Sequence, residues 1–159
     1  MGMDVYGKNP RTETGRYFRN SVWWWRPLAQ YACEVAPNVT TGCTYWHTND
    51  GDGLNKRDSN LLADLLQAEL DSGRCEAYAQ TREAELAALP DETCYLCEGT
   101  GTRQRPPHTG AGKPASGIVC NRCAGKGVVR PDATVYPFEV DNVRAFVAFL
   151  RDCGGFQIC

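Results

Sequence analysis

Two stretches decide the fold of the middle of the chain: Cys94-Tyr95-Leu96-Cys97-Glu98-Gly99-Thr100-Gly101 and Cys120-Asn121-Arg122-Cys123-Ala124-Gly125-Lys126-Gly127. Both follow the pattern C-x-x-C-x-G-x-G. Two residues between the cysteines let both thiolates of a pair reach one metal ion, and the glycines permit a tight turn that points backbone amides at the sulfur atoms. Together the pairs predict one structural Zn2+ ion whose four cysteine ligands leave no position for water: Cys94, Cys97, Cys120 and Cys123.

A redox or disulfide role is the main alternative for such cysteine pairs, in a chain that has nine cysteines. A thioredoxin-like C-x-x-C pair opens a helix after a strand, whereas these pairs open glycine-rich turns, so zinc is favoured. The segment 93–131 is rich in Gly, Thr, Pro and Arg and has few large apolar residues. We therefore expect it to be an inserted ribbon that only the metal orders.

The repeated motif resembles the cysteine-rich region of J-protein co-chaperones of the DnaJ type. That region carries four such repeats and two zinc ions, so the two repeats here resemble half of it and imply one ion. The resemblance covers about 34 residues and concerns zinc rather than chaperoning. The chain has no His-Pro-Asp signature of a J domain, so co-chaperone activity does not carry over.

Outside the ribbon, the sequence predicts an α+β core domain formed by 1–92 together with 132–159. A small sheet is expected to pack with about three to four helices. Runs of aromatic and β-branched residues predict strands at 3–6, 16–25, 135–140 and 156–159. Apolar periodicity and capping residues predict four helices. One has Pro27 in its first turn and ends before Pro37, one is capped by Asp58 or Ser59 and ends at Gly73, and one spans about 74–89. The last is capped by Asp141, ends at Gly154, and has one apolar face formed by Val143, Phe146, Val147 and Leu150.

Charge is distributed unevenly along the chain. Six of the 17 basic residues lie within 99–131, a stretch without Asp or Glu, which leaves 11 to balance all 19 acidic residues. The basic residues of the ribbon are Arg103, Arg105, Lys113, Arg122, Lys126 and Arg130. A basic ribbon of this kind makes nucleic-acid binding an alternative function, although the acidic body weakens it.

The densest aromatic stretch runs from Tyr17 to Leu28 and contains three consecutive tryptophans. On a strand their side chains would alternate between faces, so at least one is expected away from the core. An outward tryptophan beside an arginine has the chemistry to hold a planar anion, such as a nucleotide. The candidate binding residues, with a Gly-rich turn expected nearby, are Tyr17, Arg19, Trp23, Trp24, Trp25, Arg26, Asn49, Asp50 and Asp52.

Four further residues are candidates for a second functional site: Cys33, Cys43, His47 and Cys75. Cys43 and His47 have a C-x-x-x-H spacing and, with Cys33 or Cys75, are candidates for another metal site or a Cys–His nucleophile pair. Buried free cysteines that act as small hydrophobes are the commoner explanation. The chain has no G-x-S-x-G, P-loop, H-E-x-x-H or dinucleotide motif, so no enzymatic activity is predicted, with an unrecognised catalytic site as the remaining alternative.

Three segments resemble a group of small uncharacterised proteins from phage and bacterial genomes: Met1-Gly2-Met3-Asp4-Val5-Tyr6-Gly7, the stretch from Tyr17-Phe18-Arg19 to Trp25-Arg26-Pro27, and Gly154-Gly155-Phe156-Gln157-Ile158-Cys159. This resemblance implies a phage-type accessory protein that captures a host protein or a small nucleotide-like ligand, as an inhibitor or in counter-defence. The first ten residues have no apolar stretch of signal-peptide length, and no apolar run could span a bilayer. We therefore expect a cytoplasmic protein with no membrane partner.

Overall fold

A computed structural model describes residues 2–103 and 117–159 and confirms the α+β fold class. The strands are β1 (Gly2–Gly7), β2 (Tyr17–Ser21), β3 (Glu92–Thr93), β4 (Thr102–Arg103), β5 (Ile118–Val119), β6 (Val128–Val129) and β7 (Phe156–Ile158). The α-helices are α1 (Glu13–Arg16), α2 (Val22–Val35), α3 (Pro37–Thr40), α4 (Lys56–Asp71), α5 (Arg74–Ala88) and α6 (Val140–Asp152). Four of these helices are long, and α1 and α3 have four residues each.

Three strands form an antiparallel sheet in the order β2-β1-β7. The central strand β1 pairs Val5 with Phe18 of β2 on one side and with Ile158 of β7 on the other. Met3 and Val5 are buried while the residues between them are more exposed, as expected for a sheet with one face on the core. The two ends of the chain are thus hydrogen-bonded through one sheet.

Helices α4 and α6 cover the core because each has one apolar face of helical period. The buried residues of α6 include Val143, Phe146, Val147 and Leu150, the face that the sequence predicts. In α4 the buried leucines are Leu62, Leu66 and Leu70. Helix α5 buries only Cys75, in keeping with its Ala- and Glu-rich sequence.

The strand predicted at 16–25 is wrong in its second half. Strand β2 ends at Ser21, whose side chain accepts a hydrogen bond from the backbone N–H of Trp24 and caps α2. The three tryptophans therefore occupy the first turn of a helix, and Pro27 lies inside that helix rather than at its start. The aromatic and β-branched residues favour a strand, but the N-terminal cap and the burial of Trp25 outweigh that preference.

The strand predicted at 135–140 is also wrong. A 3-10 helix spans Asp132–Val135, and α6 begins at Val140, so the aromatic and proline residues between them form a connection without regular secondary structure. Helix α4 is capped by Asn55, whose side chain accepts from the N–H of Asp58, rather than by Asp58 or Ser59. Short sequence windows do not resolve such boundaries, because several polar residues can serve as caps.

The contacts divide the chain into two compact units, Met1–Glu85 with Val135–Cys159 and Leu86–Thr134. The ribbon predicted at 93–131 lies within the second unit. Over 2–103 and 117–159, none of the helices is long and apolar enough to cross a membrane.

Candidate metal centre and binding face

The sulfur atoms of four cysteines converge in the second unit. The Sγ atoms of Cys94 and Cys120 are 3.8 Å apart, those of Cys97 and Cys123 are 3.7 Å apart, and all four lie within 4.8 Å of one another. A tetrahedral zinc ion with Zn–S bonds of about 2.3 Å requires sulfur–sulfur edges of about 3.8 Å. The four buried thiols therefore have the spacing and chemistry to coordinate one metal ion.

Two equivalent hydrogen bonds build the two knuckles. The N–H of Cys94 donates to the carbonyl of Gly127, and the N–H of Cys120 donates to the carbonyl of Gly101, each at 2.9 Å. Strands β3 and β6 pair with each other, as do β4 and β5. The first cysteine of each C-x-x-C-x-G-x-G repeat is thus hydrogen-bonded to the last glycine of the other repeat.

The last glycine of each repeat is required by its surroundings. Gly101 and Gly127 have φ angles of +72° and +77°, a left-handed conformation that favours glycine. A Cβ atom at Gly101 would lie 2.3 Å from the carbonyl oxygen of Gly125, and one at Gly127 would lie 2.3 Å from that of Gly99. Because both obstacles are backbone atoms, no side chain fits at either position.

Backbone amides also favour ionised sulfur. The N–H of Gly127 lies 3.3 Å from the Sγ atom of Cys123. Burial opposes the thiolate of Cys123, but this hydrogen bond and the neighbouring thiols lower its pKa to about 7. Burial raises the pKa of Cys97 to about 11, so the Cys97 thiol retains its proton more readily than the Cys123 thiol when no cation is bound. A metal ion binds thiolates and displaces such protons.

Two arginines of the basic ribbon interact closely within the second unit. The guanidinium group of Arg122 lies 4.5 Å from the centre of the Tyr95 ring, and it pairs with Asp132 at 2.8 Å. Arg130 donates to the carbonyl oxygens of Leu86 and Leu89 at 2.7 and 2.6 Å, and so caps the end of α5. Both side chains therefore have structural partners.

Of the other four basic residues of the ribbon, the structure describes Arg103 and Lys126. Arg103 donates to the side-chain oxygen of Asn121 at 3.0 Å, and Lys126 is exposed. Arg105 and Lys113 lie outside the described residues. Of the two described residues, Lys126 is exposed, whereas Arg103 is half-buried and hydrogen-bonded to Asn121.

The three tryptophans point in different directions from α2. Trp25 is fully buried, its indole N–H donates to the carbonyl of Trp46 at 2.5 Å, and the two rings stack. Trp23 and Trp24 expose 47% and 49% of their surface. Successive residues of a helix are rotated by about 100°, so one side chain can face the core while its two neighbours face outward.

The exposed pair forms part of an apolar surface that we name the tryptophan face, consisting of Trp23, Trp24, Val135, Tyr136 and Pro137. The rings of Trp23 and Tyr136 are 5.2 Å apart. A shallow cleft lies between Trp23, Trp24, Val135 and Pro137. A second cleft, on the other side of Trp24, is lined by Gly2, Arg19, Asn20 and Ser21.

Tyr17 and Arg19 lie on the exposed side of β2 and both contact Asp4 of β1. The Tyr17 hydroxyl donates to the carboxylate of Asp4, and this bond raises the pKa of Tyr17. The Nε atom of Arg19 is 3.9 Å from the same carboxylate, and its side chain is 71% exposed. Tyr17 is therefore held on the sheet, whereas Arg19 is largely free to meet a partner.

The turn at Asn49–Gly53 is organised by Asp52. One carboxylate oxygen of Asp52 accepts from the N–H groups of Thr44 and Tyr45, at 2.6 and 2.9 Å, and the other accepts from Gly53 at 2.8 Å. These bonds lower the pKa of Asp52. Asn49 donates to the carbonyl of Gly2, which lines the cleft beside Trp24, and Asp50 is exposed.

Among the described residues, the cysteines outside the ribbon are not gathered into a second metal-ligating cluster. Within the described ranges, the four-cysteine group is the one cluster of three or more metal-ligating side chains. Burial and the nearby carboxylate of Asp52 raise the pKa of Cys43 to about 12, so its thiol is a poor nucleophile. Cys75 is buried beside Tyr31.

His47 and Cys33 instead line a polar groove along α2, which we name the α2 groove. It has a volume of about 670 Å³ and is lined by Arg26, Gln30, Cys33, Glu34 and His47. Sequence reasoning missed Gln30, Glu34 and Tyr136. Gln30, Cys33 and Glu34 already share one face of the helix that the sequence predicts from Pro27. Arg26 joins that face only because α2 begins earlier, at Val22.

The cysteine ribbon and the tryptophan face are the two features that suggest a function. A scan against protein-family models, a search of curated proteins and a search of solved structures each find no match, so the resemblances to J-protein co-chaperones and to phage and bacterial proteins rest on the quoted residues alone.

Proposed function

We propose that this chain is a non-catalytic binding protein, in which one structural zinc ion orders the cysteine ribbon and the tryptophan face captures another protein. The observation that carries the proposal is the exposure of Trp23 and Trp24, adjacent residues that each leave about half of their surface in solvent. Large adjacent aromatic side chains at a surface are characteristic of interfaces, where tryptophan and arginine supply much of the binding free energy.

The surroundings of the tryptophan face define the chemistry of the partner. Arg19 borders one side, and the guanidinium group of Arg26 lies 5.4 Å from the Tyr136 ring on the other. Neither border residue is held by a close ion pair, because no described carboxylate lies nearer than 3.9 Å to Arg19 and none pairs with Arg26. The complementary partner is a protein with an apolar pocket bordered by acidic residues.

Zinc is the metal that the donor set favours. Four buried thiolates at tetrahedral spacing suit zinc, and a complete set of protein ligands leaves no position for a reacting water. The ion would therefore be structural. Burial raises the pKa of Cys43 to about 12 and that of Cys75 to about 11, so neither of these two thiols is a ready nucleophile.

These features fit the role of an accessory protein, of phage type, that inhibits a host protein by covering its surface. A nucleic-acid-binding function ranks lower. Of the ribbon arginines, Arg122 and Arg130 already pair with Asp132, Asp91 and carbonyl oxygens. Phosphate binding would have to break those interactions or rely on Arg103 and Lys126.

The test compares tagged wild-type protein with Trp23→Ala, Trp24→Ala and a matched control, Tyr45→Ala, which removes an exposed aromatic outside the tryptophan face. Proteins that co-purify from one cell extract are quantified, and any candidate is purified and titrated directly against each variant. We expect one protein whose affinity falls by about a hundredfold or more in the tryptophan variants and is unchanged in Tyr45→Ala.

Two results would contradict the proposal. The first is a purified partner that binds all four proteins equally. The second is a dimer of this chain, seen by light scattering, that dissociates in Trp24→Ala, because the face would then cover a second copy. Native mass spectrometry of the same preparations reports zinc, oligomeric state and any small ligand together.

A further inference from the structure

The α2 groove has the size of a small-molecule site. Its volume of about 670 Å³ falls within the range of about 300–1,000 Å³ typical of ligand pockets. Four of its residues come from one face of α2, a helix that contains Pro27, and His47 comes from the segment after α3. The helix fixes the spacing of the Cα atoms, while the side chains of Arg26, Gln30, Glu34 and His47 are exposed.

One end of the groove is cationic. Arg26 has no carboxylate within ion-pair distance among the described residues, and its contacts are the ring of Tyr136 at 5.4 Å and the hydroxyl at 3.4 Å. A guanidinium group has five N–H donors, so most remain available. Partial burial, together with the charge of Arg26, lowers the pKa of His47. An imidazole ring offers an N–H donor in either protonation state.

The other end of the groove is anionic. The Gln30 side chain donates to one carboxylate oxygen of Glu34 at 2.9 Å, which leaves the second oxygen free to accept. Glu34 follows Arg26 by eight residues, which separates the two Cα atoms by about 12 Å along a helix. A positive and a negative group thus stand at opposite ends of a groove long enough for an organic molecule.

We propose that the α2 groove binds a small dipolar ligand, an amino-bearing mononucleotide, with its phosphate at Arg26 and His47 and its exocyclic amine at Gln30 and Glu34. The phosphate accepts hydrogen bonds from the guanidinium and imidazole groups. The amine donates to the free oxygen of Glu34. A free amino acid would fill little of the volume, whereas a nucleotide carries an anion and a donor at opposite ends.

The α2 groove shares Arg26 with the border of the tryptophan face, so the two proposals are separated through residues that only one of them uses. Trp24 lines the clefts beside that face and is absent from the α2 groove, while Glu34 and His47 line the groove alone. Trp24→Ala is therefore expected to bind nucleotide like the wild type. Glu34→Gln is expected to capture the partner protein like the wild type.

The test is titration calorimetry of the zinc-loaded full chain with AMP, with IMP, and with inorganic phosphate. IMP has a carbonyl oxygen in place of the amine, which would face the carboxylate of Glu34. We expect AMP to bind, IMP to bind about tenfold more weakly and phosphate more weakly still, since one hydrogen bond to a charged group is worth about tenfold or more.

The variants locate the ligand. Glu34→Gln should weaken AMP about tenfold and remove the preference over IMP, and Arg26→Gln should weaken both nucleotides. Arg57→Gln and Glu83→Gln change exposed charges elsewhere and should have no effect. The proposal is overturned if AMP does not bind at millimolar concentration, if the three ligands bind equally, or if Arg26→Gln and Glu34→Gln bind like the wild type.

An NMR measurement on the wild-type chain tests the site without any substitution, so it does not depend on whether a variant folds. The chain has two histidines, His47 and His108, whose ring proton signals can be followed by NMR. AMP should shift the His47 signals and leave those of His108 unchanged. A shift of His108 alone would place the nucleotide on the ribbon segment and overturn the proposal.

Discussion

Cys94 and Cys120 belong to different repeats of one motif, yet their Sγ atoms lie 3.8 Å apart, at the edge length of a tetrahedron around zinc. The same two residues begin the matched hydrogen bonds that close each repeat on the other, through Gly127 and Gly101. The ribbon is therefore a pair of equivalent knuckles facing one another across the site.

The first prediction concerns metal content. Purified protein should contain about one zinc ion per chain by elemental analysis, and Cys120→Ser should lose it, because three thiolates no longer complete the site. Zinc binding at sites of this kind contributes on the order of 10 kcal/mol to folding. The ribbon of Cys120→Ser should therefore become sensitive to protease, while the unit formed by Met1–Glu85 and Val135–Cys159 stays folded. Cys33→Ser is the control and should retain the metal. Metal-free protein with an intact ribbon would refute the site.

The second prediction concerns the glycines of the motif. Gly101→Ala should weaken zinc retention against a chelator, because its Cβ atom would lie 2.3 Å from the carbonyl oxygen of Gly125. Gly99→Ala is the matched control. It has the same left-handed strain, of about 1–2 kcal/mol, but its new atom would meet only a movable methyl group of Thr93 at 3.3 Å. Equal retention by both variants would show that the backbone contact does not matter.

The third prediction separates the tryptophans by stability. Trp25→Ala should lower the free energy of unfolding by about 3–5 kcal/mol, because it empties a fully buried site and removes the hydrogen bond to Trp46. Trp24→Ala should change it by less than about 1 kcal/mol, since the side chain is half exposed. Urea denaturation measures both values. A large loss in Trp24→Ala would mean that this side chain supports the fold.

The fourth prediction is a pH dependence at Asp52. Hydrogen bonds from the backbone N–H groups of Tyr45, Gly53 and Thr44 lower its pKa below the unfolded value of about 3.9. The stabilisation is therefore complete above that value and is lost as the pH falls through the lower pKa of the folded state. The difference in melting temperature between wild type and Asp52→Asn should be large at neutral pH and shrink in acid. Asp50→Asn, which changes an exposed carboxylate, should show no such difference.

The fifth prediction concerns nucleic acid. Labelled single-stranded and double-stranded DNA should show no binding near physiological salt, because Arg122 and Arg130 have partners within the second unit. Fluorescence anisotropy over a salt series measures this. Tight binding that weakens steeply with salt and is abolished by Arg103→Glu would make the ribbon the functional surface instead.

Local sequence patterns determined several parts of the structure. The repeated C-x-x-C-x-G-x-G motif predicted the convergence of four cysteines, since chelation and glycine turns act over a few residues. The buried faces of α6 and α4 could also be predicted from the sequence, because buried residues repeat with the helical period. The patterns themselves are local, although the metal ligands they supply meet across 26 residues of chain.

Tertiary structure decided the orientation of the tryptophans of α2 and, together with the local cap at Ser21, the start of that helix. The stretch from Val22 to Trp25 has residues that favour a strand, and only the burial of Trp25 against Trp46 and the cap at Ser21 select the helix. The tryptophan face needs Tyr136, and the α2 groove needs His47, both distant in sequence from the helix. Such contacts form when separate segments pack on one core, and no local pattern encodes which segments will meet.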